Sequence, residues 1–314
     1  MTLVYQTPTK RIIRSNMAAS IITSKLTKYY GRDKTPALDS LDLHIKAGEV
    51  YGFLGANGAG KSTTIRLLMN FLQPTSGSAQ IAGLDAVRDT VAVKKHVGYL
   101  AGDVALYPKT TGHELLDYLA RLQGSMAPEY RATLEKRFEV ETAKPIGSLS
   151  KGNRQKIGIL QAFMHRPDVL ILDEPTSGLD PLMQEAFYDT VLEARAHGAA
   201  VLMSSHNLAE AQRVCDRIGI IKHGKLIHEQ IIGGGAELVK TTFRIVLEHP
   251  ADAARLKKAP HLTFISDEGP AMILQATDAL GPALKSLSQF DIHSFSTQQL
   301  SLEDEFLDFY GDKS

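Results

Sequence analysis

The amino-acid sequence predicts an α/β fold followed by a second, smaller domain of the α+β class. Between residues 20 and 232, apolar strand-like runs alternate with helical patterns, which is typical of a sheet packed against helices. A glycine-rich loop joins one of these runs to a helix. From residue 236 onward the order becomes strand, helix, strand, strand, helix, strand, which is the split βαβ arrangement.

The composition is that of a globular protein with room for one large and one small domain in 314 residues. Lys and Arg together number 35, as do Asp and Glu, so no bulk positive charge predicts nucleic-acid binding. The single cysteine, Cys215, excludes an intrachain disulfide and is interpreted as a buried apolar residue. Since no run approaches the roughly 20 apolar residues of a membrane helix, we expect a cytosolic chain that reaches a membrane through a partner.

Residues 1–19 are polar and carry Lys10, Arg11 and Arg14. We interpret them as a disordered N-terminal extension, with a basic tail that touches a membrane as the alternative. Met17 stands just before the first strand-like run, so Met1 and Met17 are both candidate start residues.

The first elements surround the glycine-rich loop. Apolar and polar residues alternate strictly over residues 41–46, which predicts a strand with one buried face. A shorter apolar strand over residues 50–54 runs directly into Gly55. After Lys61, apolar residues recur at helical spacing until Pro74, so the order is strand, loop, helix.

A helical subdomain is predicted over about residues 103–165. Thr111 and Glu114 form a capping-box pattern, which starts its first helix. A second helix carries Tyr130 on its apolar side, and a third begins at Lys151.

The remaining elements alternate again, and three glycines at residues 233–235 are interpreted as a hinge between the domains. The first domain, residues 20–232, continues with strands 169–172, 199–203 and 218–221 and helices 181–197 and 208–216. The second domain, residues 236–314, has predicted strands 242–248, 262–266, 272–275 and 292–296, helices 251–258 and 279–287, and a last helix with Leu302, Phe306 and Phe309 on one side.

The sequence Gly-Ala-Asn-Gly-Ala-Gly-Lys-Ser at residues 55–62 fits the full pattern of a phosphate-binding loop. Its glycines let backbone N–H groups turn towards phosphate oxygens at the positive end of the following helix. Lys61 is the candidate contact of the outer phosphates, and Ser62 is a candidate ligand of Mg²⁺. The candidate nucleotide-binding residues of this segment are Gly55, Asn57, Gly58, Ala59, Gly60, Lys61, Ser62 and Thr63.

Two carboxylates and a histidine follow apolar strands. Asp173 ends a strand and is a candidate ligand of Mg²⁺ through water, while Glu174 is the candidate group that polarises the attacking water. His206 follows the strand 199–203, so we expect it at the same sheet edge, near the γ-phosphate. The alternatives are a solvated acidic turn before Pro175 and a structural histidine. No nucleophile elbow accompanies the Ser–His pair, which disfavours a serine hydrolase.

These motifs stand in the order found in the nucleotide-binding subunits of ATP-binding cassette (ABC) transporters, which the chain resembles over residues 20–230. The resemblance implies a P-loop NTPase cassette with a RecA-like core sheet, an antiparallel β subdomain and the helical insert. It also implies an Mg-dependent ATPase in which Glu174, His206 and Lys61 are catalytic. The matching segments are Tyr30, which resembles the aromatic that stacks on adenine, residues 55–62 (Walker A), 149–153 (the LSGGQ signature), 170–174 (Walker B), 177–180 (the D-loop) and His206 (the switch histidine).

The resemblance also implies an assembly. Two ATP-binding subunits, identical or different, pack head to tail, so each ATP lies between Lys61 of one chain and Ser150 and Gly152 of the other. Asp180 of the D-loop is a further nucleotide-binding candidate. The pair acts on a separate transmembrane subunit at the cytoplasmic face of the membrane.

The C-terminal part is similar to the accessory domain of ABC-2 type exporters of drugs, antibiotics or polysaccharides. Residues 302–307, Leu-Glu-Asp-Glu-Phe-Leu, carry this similarity. Export rather than import rests on it alone, and the transported substrate stays open.

Two places depart from the family pattern. Where the family usually has a glutamine that touches Mg²⁺ and the attacking water, this chain has Gly102 followed by Asp103. Asp103 or a water molecule is the candidate replacement, and a differently built loop is the alternative. In the signature segment, Lys151 and Asn153 replace a glycine and a glutamine. Lys151 either adds charge near the phosphates or faces solvent.

A soluble cassette ATPase that acts on ribosomes or DNA is the second hypothesis. Such proteins usually carry two cassettes or a long coiled coil between the motifs, whereas this chain has one phosphate loop and no sustained heptads. A non-catalytic nucleotide-binding scaffold is disfavoured because Lys61, Asp173, Glu174 and His206 are all present.

Overall fold

The structure is a computed structural model in which the chain divides into two units, Met1–Ile232 and Gly233–Ser314. The residues that it describes are 19–31, 35–104, 106–124, 128–232, 241–277 and 280–299. The predicted extension up to residue 18, the glycine hinge at 233–235 and the last helix around Leu302, Phe306 and Phe309 lie outside the described residues. Residue 19 already begins the first strand.

The first unit contains ten strands and seven α-helices among its described residues. The strands are β1 (Ala19–Lys28), β2 (Leu38–Lys46), β3 (Val50–Leu54), β4 (Ser76–Ile81), β5 (Leu84–Asp85), β6 (Val97–Leu100), β7 (Val169–Asp173), β8 (Ala200–Ser205), β9 (Arg217–Lys222) and β10 (Lys225–Ile231). The helices are α1 (Lys61–Leu68), α2 (Thr90–His96), α3 (Gly112–Gln123), α4 (Pro128–Arg137), α5 (Lys151–Phe163), α6 (Pro181–Ala196) and α7 (Leu208–Val214).

The central sheet has six strands in the order β10-β9-β3-β8-β7-β6. The strands from β9 to β6 are parallel, and β10 pairs antiparallel at one edge. β3 and β8 are buried along their whole length, as expected for parallel strands covered on both faces. The carboxyl ends of these strands therefore open onto one edge, where ligands bind in open α/β sheets.

A second sheet is antiparallel, with the order β2-β1-β4-β5. In β2, Leu41, Leu43 and Ile45 are buried and alternate with exposed residues, which confirms the strand with one buried face. These residues join a core cluster with Phe53 of β3 and Ile65 of α1, so one apolar core connects the two sheets.

The helical subdomain begins with the predicted capping box. Thr111 Oγ1 accepts a hydrogen bond from the Glu114 N–H at 3.2 Å, and Glu114 Oε2 accepts one from the Thr111 N–H at 2.9 Å. Leu115 of α3 packs with Leu149 and Ile157 in a small separate core. The start of α5 is thereby fixed to α3.

The second unit is a four-stranded antiparallel sheet, which confirms the split βαβ prediction. Its elements are β11 (Thr241–Leu247), α8 (Ala253–Leu256), β12 (Leu262–Glu268), β13 (Ala271–Ala276), α9 (Leu280–Leu287) and β14 (Ile292–Gln299), with the strand order β12-β13-β11-β14. Phe243, Leu274 and Leu287 belong to its core. The predicted helix 251–258 is shorter than expected, because a 3₁₀ turn over Pro250–Asp252 takes up its beginning.

Among the described residues, the helices are too short or too polar for any of them to cross a membrane.

Candidate functional site

The loop between β3 and α1 is shaped by its glycines. Gly60 has φ 118°, and a Cβ at this position would lie 2.9 Å from the Ala37 carbonyl oxygen. Gly58 has φ 81°, which is also in the left-handed region. The Ala59 N–H donates to the Ala56 carbonyl at 3.1 Å, so the loop closes tightly before α1 begins.

Lys61 is buried at the start of α1, with 5% of its surface exposed. Its ammonium donates to the carbonyl oxygens of Gly55 at 2.6 Å and Ala56 at 3.2 Å. It also lies 3.7 Å from Glu174 Oε1. Burial lowers the pKa of Lys61, and the negative charges of Glu174 and Asp173 oppose this effect. The loop thus holds a cation beneath its own backbone.

Asp173 at the end of β7 joins the loop to β8. Ser62 Oγ donates to Asp173 Oδ2 at 3.1 Å, and Ser204 Oγ donates to Asp173 Oδ1 at 2.6 Å. Both carboxylate oxygens are therefore oriented by hydroxyl groups. Two protein oxygen atoms, on Ser62 and Asp173, face each other at hydrogen-bond distance.

Glu174 occupies a strained position beside Asp173. Its φ is 45°, which is uncommon for a residue with a side chain. Its N–H donates to two oxygen atoms of Ser204, the hydroxyl Oγ at 3.0 Å and the carbonyl oxygen at 3.2 Å. Its Oε1 is 3.3 Å from His206 Nδ1. The structure thus brings Lys61, Glu174 and His206 into one cluster.

Ser204 is the site residue that sequence reasoning missed. It is fully buried, and it contacts both Asp173 and Glu174. The predicted strand ended at residue 203, whereas β8 extends to Ser205. A serine at the end of an otherwise apolar strand, two residues before His206, was the available signal.

Tyr30 lies beside the phosphate loop. It follows β1, is partly exposed, and its hydroxyl is 3.4 Å from Thr63 Oγ1 in the first turn of α1. The ring therefore borders the same site as Lys61.

The signature segment lies at the start of α5. Ser150 is the N-cap and accepts a hydrogen bond from the Asn153 N–H at 3.2 Å. Gly152 packs so closely that a Cβ there would lie 2.8 Å from the Gly178 carbonyl oxygen. Within the described residues, no hydrogen bond links Ser150 to the phosphate loop of the same chain.

Asp180 and Gly102 are the two remaining residues of the predicted site. Asp180 Oδ1 accepts a hydrogen bond from the Met183 N–H at 3.0 Å, so in this chain its carboxylate caps α6. Gly102 lies beside the metal-ligand candidate, because a Cβ there would be 3.4 Å from the Asp173 carbonyl oxygen. Asp103 is exposed next to it.

A protein-family model described as ABC transporter matches residues 38–177. The bacitracin transport ATP-binding protein BcrA of Bacillus licheniformis is 32% identical, over 90% of this chain and 83% of its own length. The daunorubicin/doxorubicin resistance ATP-binding protein DrrA of Streptomyces peucetius is 34% identical, over 93% of this chain and 92% of its own length.

Solved structures of ATP-binding cassettes also match this chain. The structure of an ATP-binding subunit of an ABC transporter matches with a TM-score of 0.64 at 30% identity, covering 67% of this chain and 89% of that chain. A dimeric ATP-binding cassette in a post-hydrolysis state, bound to ADP and phosphate, matches with a TM-score of 0.62 at 25% identity, covering 68% and 99%.

Proposed function

The chain belongs to the family of ABC transporter ATP-binding proteins, and from this premise we propose that it hydrolyses MgATP to power export through a separate transmembrane subunit. The observation that supports this proposal most directly is the cluster of Lys61, Glu174 and His206 beside the phosphate loop. At one sheet edge this cluster combines a cation that can bind phosphates, a carboxylate that can orient water, and a histidine.

The site suits Mg²⁺ together with nucleotide phosphates. Among the described residues, no group of three or more His, Cys, Asp or Glu could enclose a metal ion. Mg²⁺ usually keeps several waters and takes one or two protein ligands plus substrate phosphates, which fits Ser62 and Asp173. When bound, Mg²⁺ neutralises charge that develops on the phosphates.

Three side chains of this chain would carry the hydrolysis step. Lys61 releases the carbonyl oxygens of its loop and donates to the outer phosphates. Glu174 would align the attacking water and take up its proton as the water oxygen bonds to the γ-phosphorus. The bond from that phosphorus to the β–γ bridging oxygen breaks, ADP leaves with its electron pair, and Glu174 returns the proton to the released phosphate. His206, next to Glu174, donates to the γ-phosphate.

Tyr30 is proposed to cover the adenine ring, since its ring borders the phosphate loop through Thr63. We also propose that Ser150, Gly152 and Asp180 serve the nucleotide of a second ATP-binding subunit. In support, the Ser150 hydroxyl and the Asp180 carboxylate accept hydrogen bonds from their own helix starts, and one matched cassette structure is dimeric.

The relatives support a proposal about export and location. The names of the two relatives refer to bacitracin transport and to daunorubicin/doxorubicin resistance, which supports efflux of a drug-like or antibiotic compound. We propose that the chain lies at the cytoplasmic face of the membrane, bound to an ABC-2 type permease. A soluble ATPase on ribosomes or DNA is not favoured by these relatives.

Co-purification from native membranes is the experiment that tests this function. We expect the chain to carry a transmembrane subunit with it, and we expect the ATPase activity of that complex to respond to the transported compound. Recovery with ribosomes or DNA, and stimulation by them, would reject the proposal. Glu174→Gln in the same preparation distinguishes this ATPase from a contaminant.

Ser204→Ala is expected to raise the Mg²⁺ concentration for half-maximal hydrolysis by about ten-fold, since a hydrogen bond to a charged group contributes about 1.5–3 kcal/mol. The substitution removes the hydroxyl that orients Asp173, while the Glu174 N–H keeps its hydrogen bond to the carbonyl oxygen of residue 204. Magnesium titrations at saturating ATP measure the effect.

Ser205→Ala is the matched control, because the Ser205 hydroxyl donates to the Glu210 carboxylate and not to that of Asp173. Equal magnesium dependence in the Ser204 and Ser205 variants would show that Ser204 does not position Asp173.

A further inference from the structure

The Glu210 carboxylate of α7 joins the two segments that carry Glu174 and His206. Thr176 Oγ1 donates a hydrogen bond to Glu210 Oε1 at 2.9 Å, and Ser205 Oγ donates one to Glu210 Oε2 at 2.8 Å. Thr176 lies two residues after Glu174, in the turn that follows β7. Ser205 ends β8 and directly precedes His206. Each oxygen of one carboxylate therefore binds one of the two segments.

The two hydroxyl groups that bind Glu210 are buried. Thr176 is 6% exposed and Ser205 is 2% exposed, so bulk water is a poor substitute for the carboxylate. The Ser205 hydroxyl also accepts a hydrogen bond from the Asn207 N–H at 2.9 Å, which orients it. Hydrogen bonds to a carboxylate are stronger than those between neutral groups, so these two contacts restrain both segments.

The helix that carries Glu210 is attached to the central sheet by other contacts. Its buried residues are Leu208, Ala211 and Val214. At Gly52 of β3, an added Cβ would lie 3.3 Å from the Cβ of Ala211, so the helix packs closely on this strand. This packing involves neither of the two hydroxyl groups. The position of Glu210 is therefore set by the sheet, and the carboxylate provides a rigid attachment for both segments.

The turn after β7 requires such a restraint. Glu174 has φ 45°, a conformation that persists only where the surrounding structure enforces it. Ser204 binds the N–H of Glu174 on one side of the turn, and Glu210 binds Thr176 on the other side. Between these two restraints, Glu174 Oε1 lies 3.3 Å from His206 Nδ1.

We propose that Glu210 is a positioning residue for ATP hydrolysis, which sets the placement of Glu174 relative to His206 through the hydroxyls of Thr176 and Ser205. The inference rests on the proposed ATPase function. Glu210 acts through these hydroxyls and takes no part in proton transfer. Its removal is therefore expected to slow the chemical step and to leave ATP binding in place, because the phosphate loop is untouched.

Steady-state hydrolysis by the full chain, purified from native membranes, separates kcat from KM for ATP. Glu210→Ala is expected to lower kcat about ten- to hundred-fold, because a misplacement of about 1 Å costs about 10²-fold. KM for ATP is expected to stay within about three-fold, since binding that is common to substrate and transition state is unchanged. Glu193→Ala is the matched control and is expected to keep the parent kcat. Glu193 is also a half-buried carboxylate, and it pairs with Arg137 at 3.0 Å.

Glu210→Gln is the conservative variant that tests for positioning. Its carbonyl oxygen can accept from one hydroxyl while its amide donates to the other, so kcat is expected to stay within about three-fold of the parent. Thr176→Val keeps the side-chain shape and is expected to lower kcat about ten-fold, the effect of losing one hydrogen bond to a charged group. In the Glu210→Ala background it is expected to lower kcat by less than about two-fold more, because its partner is already gone.

The outcomes separate the positioning role from the ATPase function. A parent chain that does not hydrolyse ATP would overturn the proposed function itself. If the parent hydrolyses ATP and Glu210→Ala keeps its kcat, or if Glu210→Gln loses as much as Glu210→Ala, the role of Glu210 is overturned alone. Should Glu210→Ala fail to fold, a parent-like kcat in Thr176→Val overturns the role.

Discussion

Glu174→Gln is expected to lower ATP turnover by about three orders of magnitude, the scale on which general-base catalysis contributes. Glu174 Oε1 lies 3.3 Å from His206 Nδ1 and 3.7 Å from the Lys61 ammonium. A glutamine fills the same space but has lost the carboxylate that aligns and polarises water. ATP binding is expected to persist, because Lys61 and the phosphate loop are untouched.

The substitution is a clean test because it keeps the backbone of this position. Glu174 has φ 45°, and its N–H is fixed to Ser204. The free-energy cost of this backbone conformation is similar for glutamine and glutamate, so the strained turn after β7 is retained. We therefore expect the melting temperature to change little.

Steady-state phosphate release and ATP titration calorimetry measure the two effects separately. Glu185→Gln is the control, since Glu185 is a half-exposed residue of α6 that pairs with Arg213. Hydrolysis at the wild-type rate in the Glu174 variant would exclude Glu174 as the group that activates water.

The central sheet was predictable because its elements have strong local signals. Parallel strands such as β7 are uninterrupted apolar runs, and α3 and α6 begin at residues whose side chains cap them. β4 was not predicted, because Ser76–Ile81 contains a glycine and two serines and its pairing with β1 supplies the stability. β10 is an edge strand with partly exposed residues, so its sequence carries little burial pattern.

The site residues that lie in sequence motifs could be predicted. The residues that belong to the site only through contacts between distant segments could not. The phosphate loop, Asp173 and His206 follow from strand ends. Ser204 could be assigned only from its hydrogen bonds to the Asp173 carboxylate and to the Glu174 backbone N–H, which are 31 and 30 residues away in the chain. The contact of Lys151 with Ser177 likewise depends on how α5 packs against the loop after β7.

Lys61→Met is expected to weaken ATP binding by about two to four orders of magnitude, because two hydrogen bonds to charged groups contribute about 1.5–3 kcal/mol each. The Lys61 ammonium is the one cation beneath the described phosphate loop, and it already satisfies the Gly55 and Ala56 carbonyl oxygens. Methionine is unbranched and fills a similar volume. Since the change leaves the Gly55 and Ala56 carbonyl oxygens without the ammonium, we expect the free energy of unfolding to fall by about 1–3 kcal/mol.

Calorimetric titration with ATP and thermal unfolding test both parts of this expectation. Lys46→Met is the control, because Lys46 is an exposed residue of β2 away from the loop. Unchanged ATP affinity in the Lys61 variant would mean that the loop does not hold phosphates through this side chain. The Lys61 and Glu174 variants together separate the two parts of the site: loss of Lys61 should weaken ATP binding and lower turnover, whereas loss of the Glu174 carboxylate should lower turnover and leave ATP binding in place.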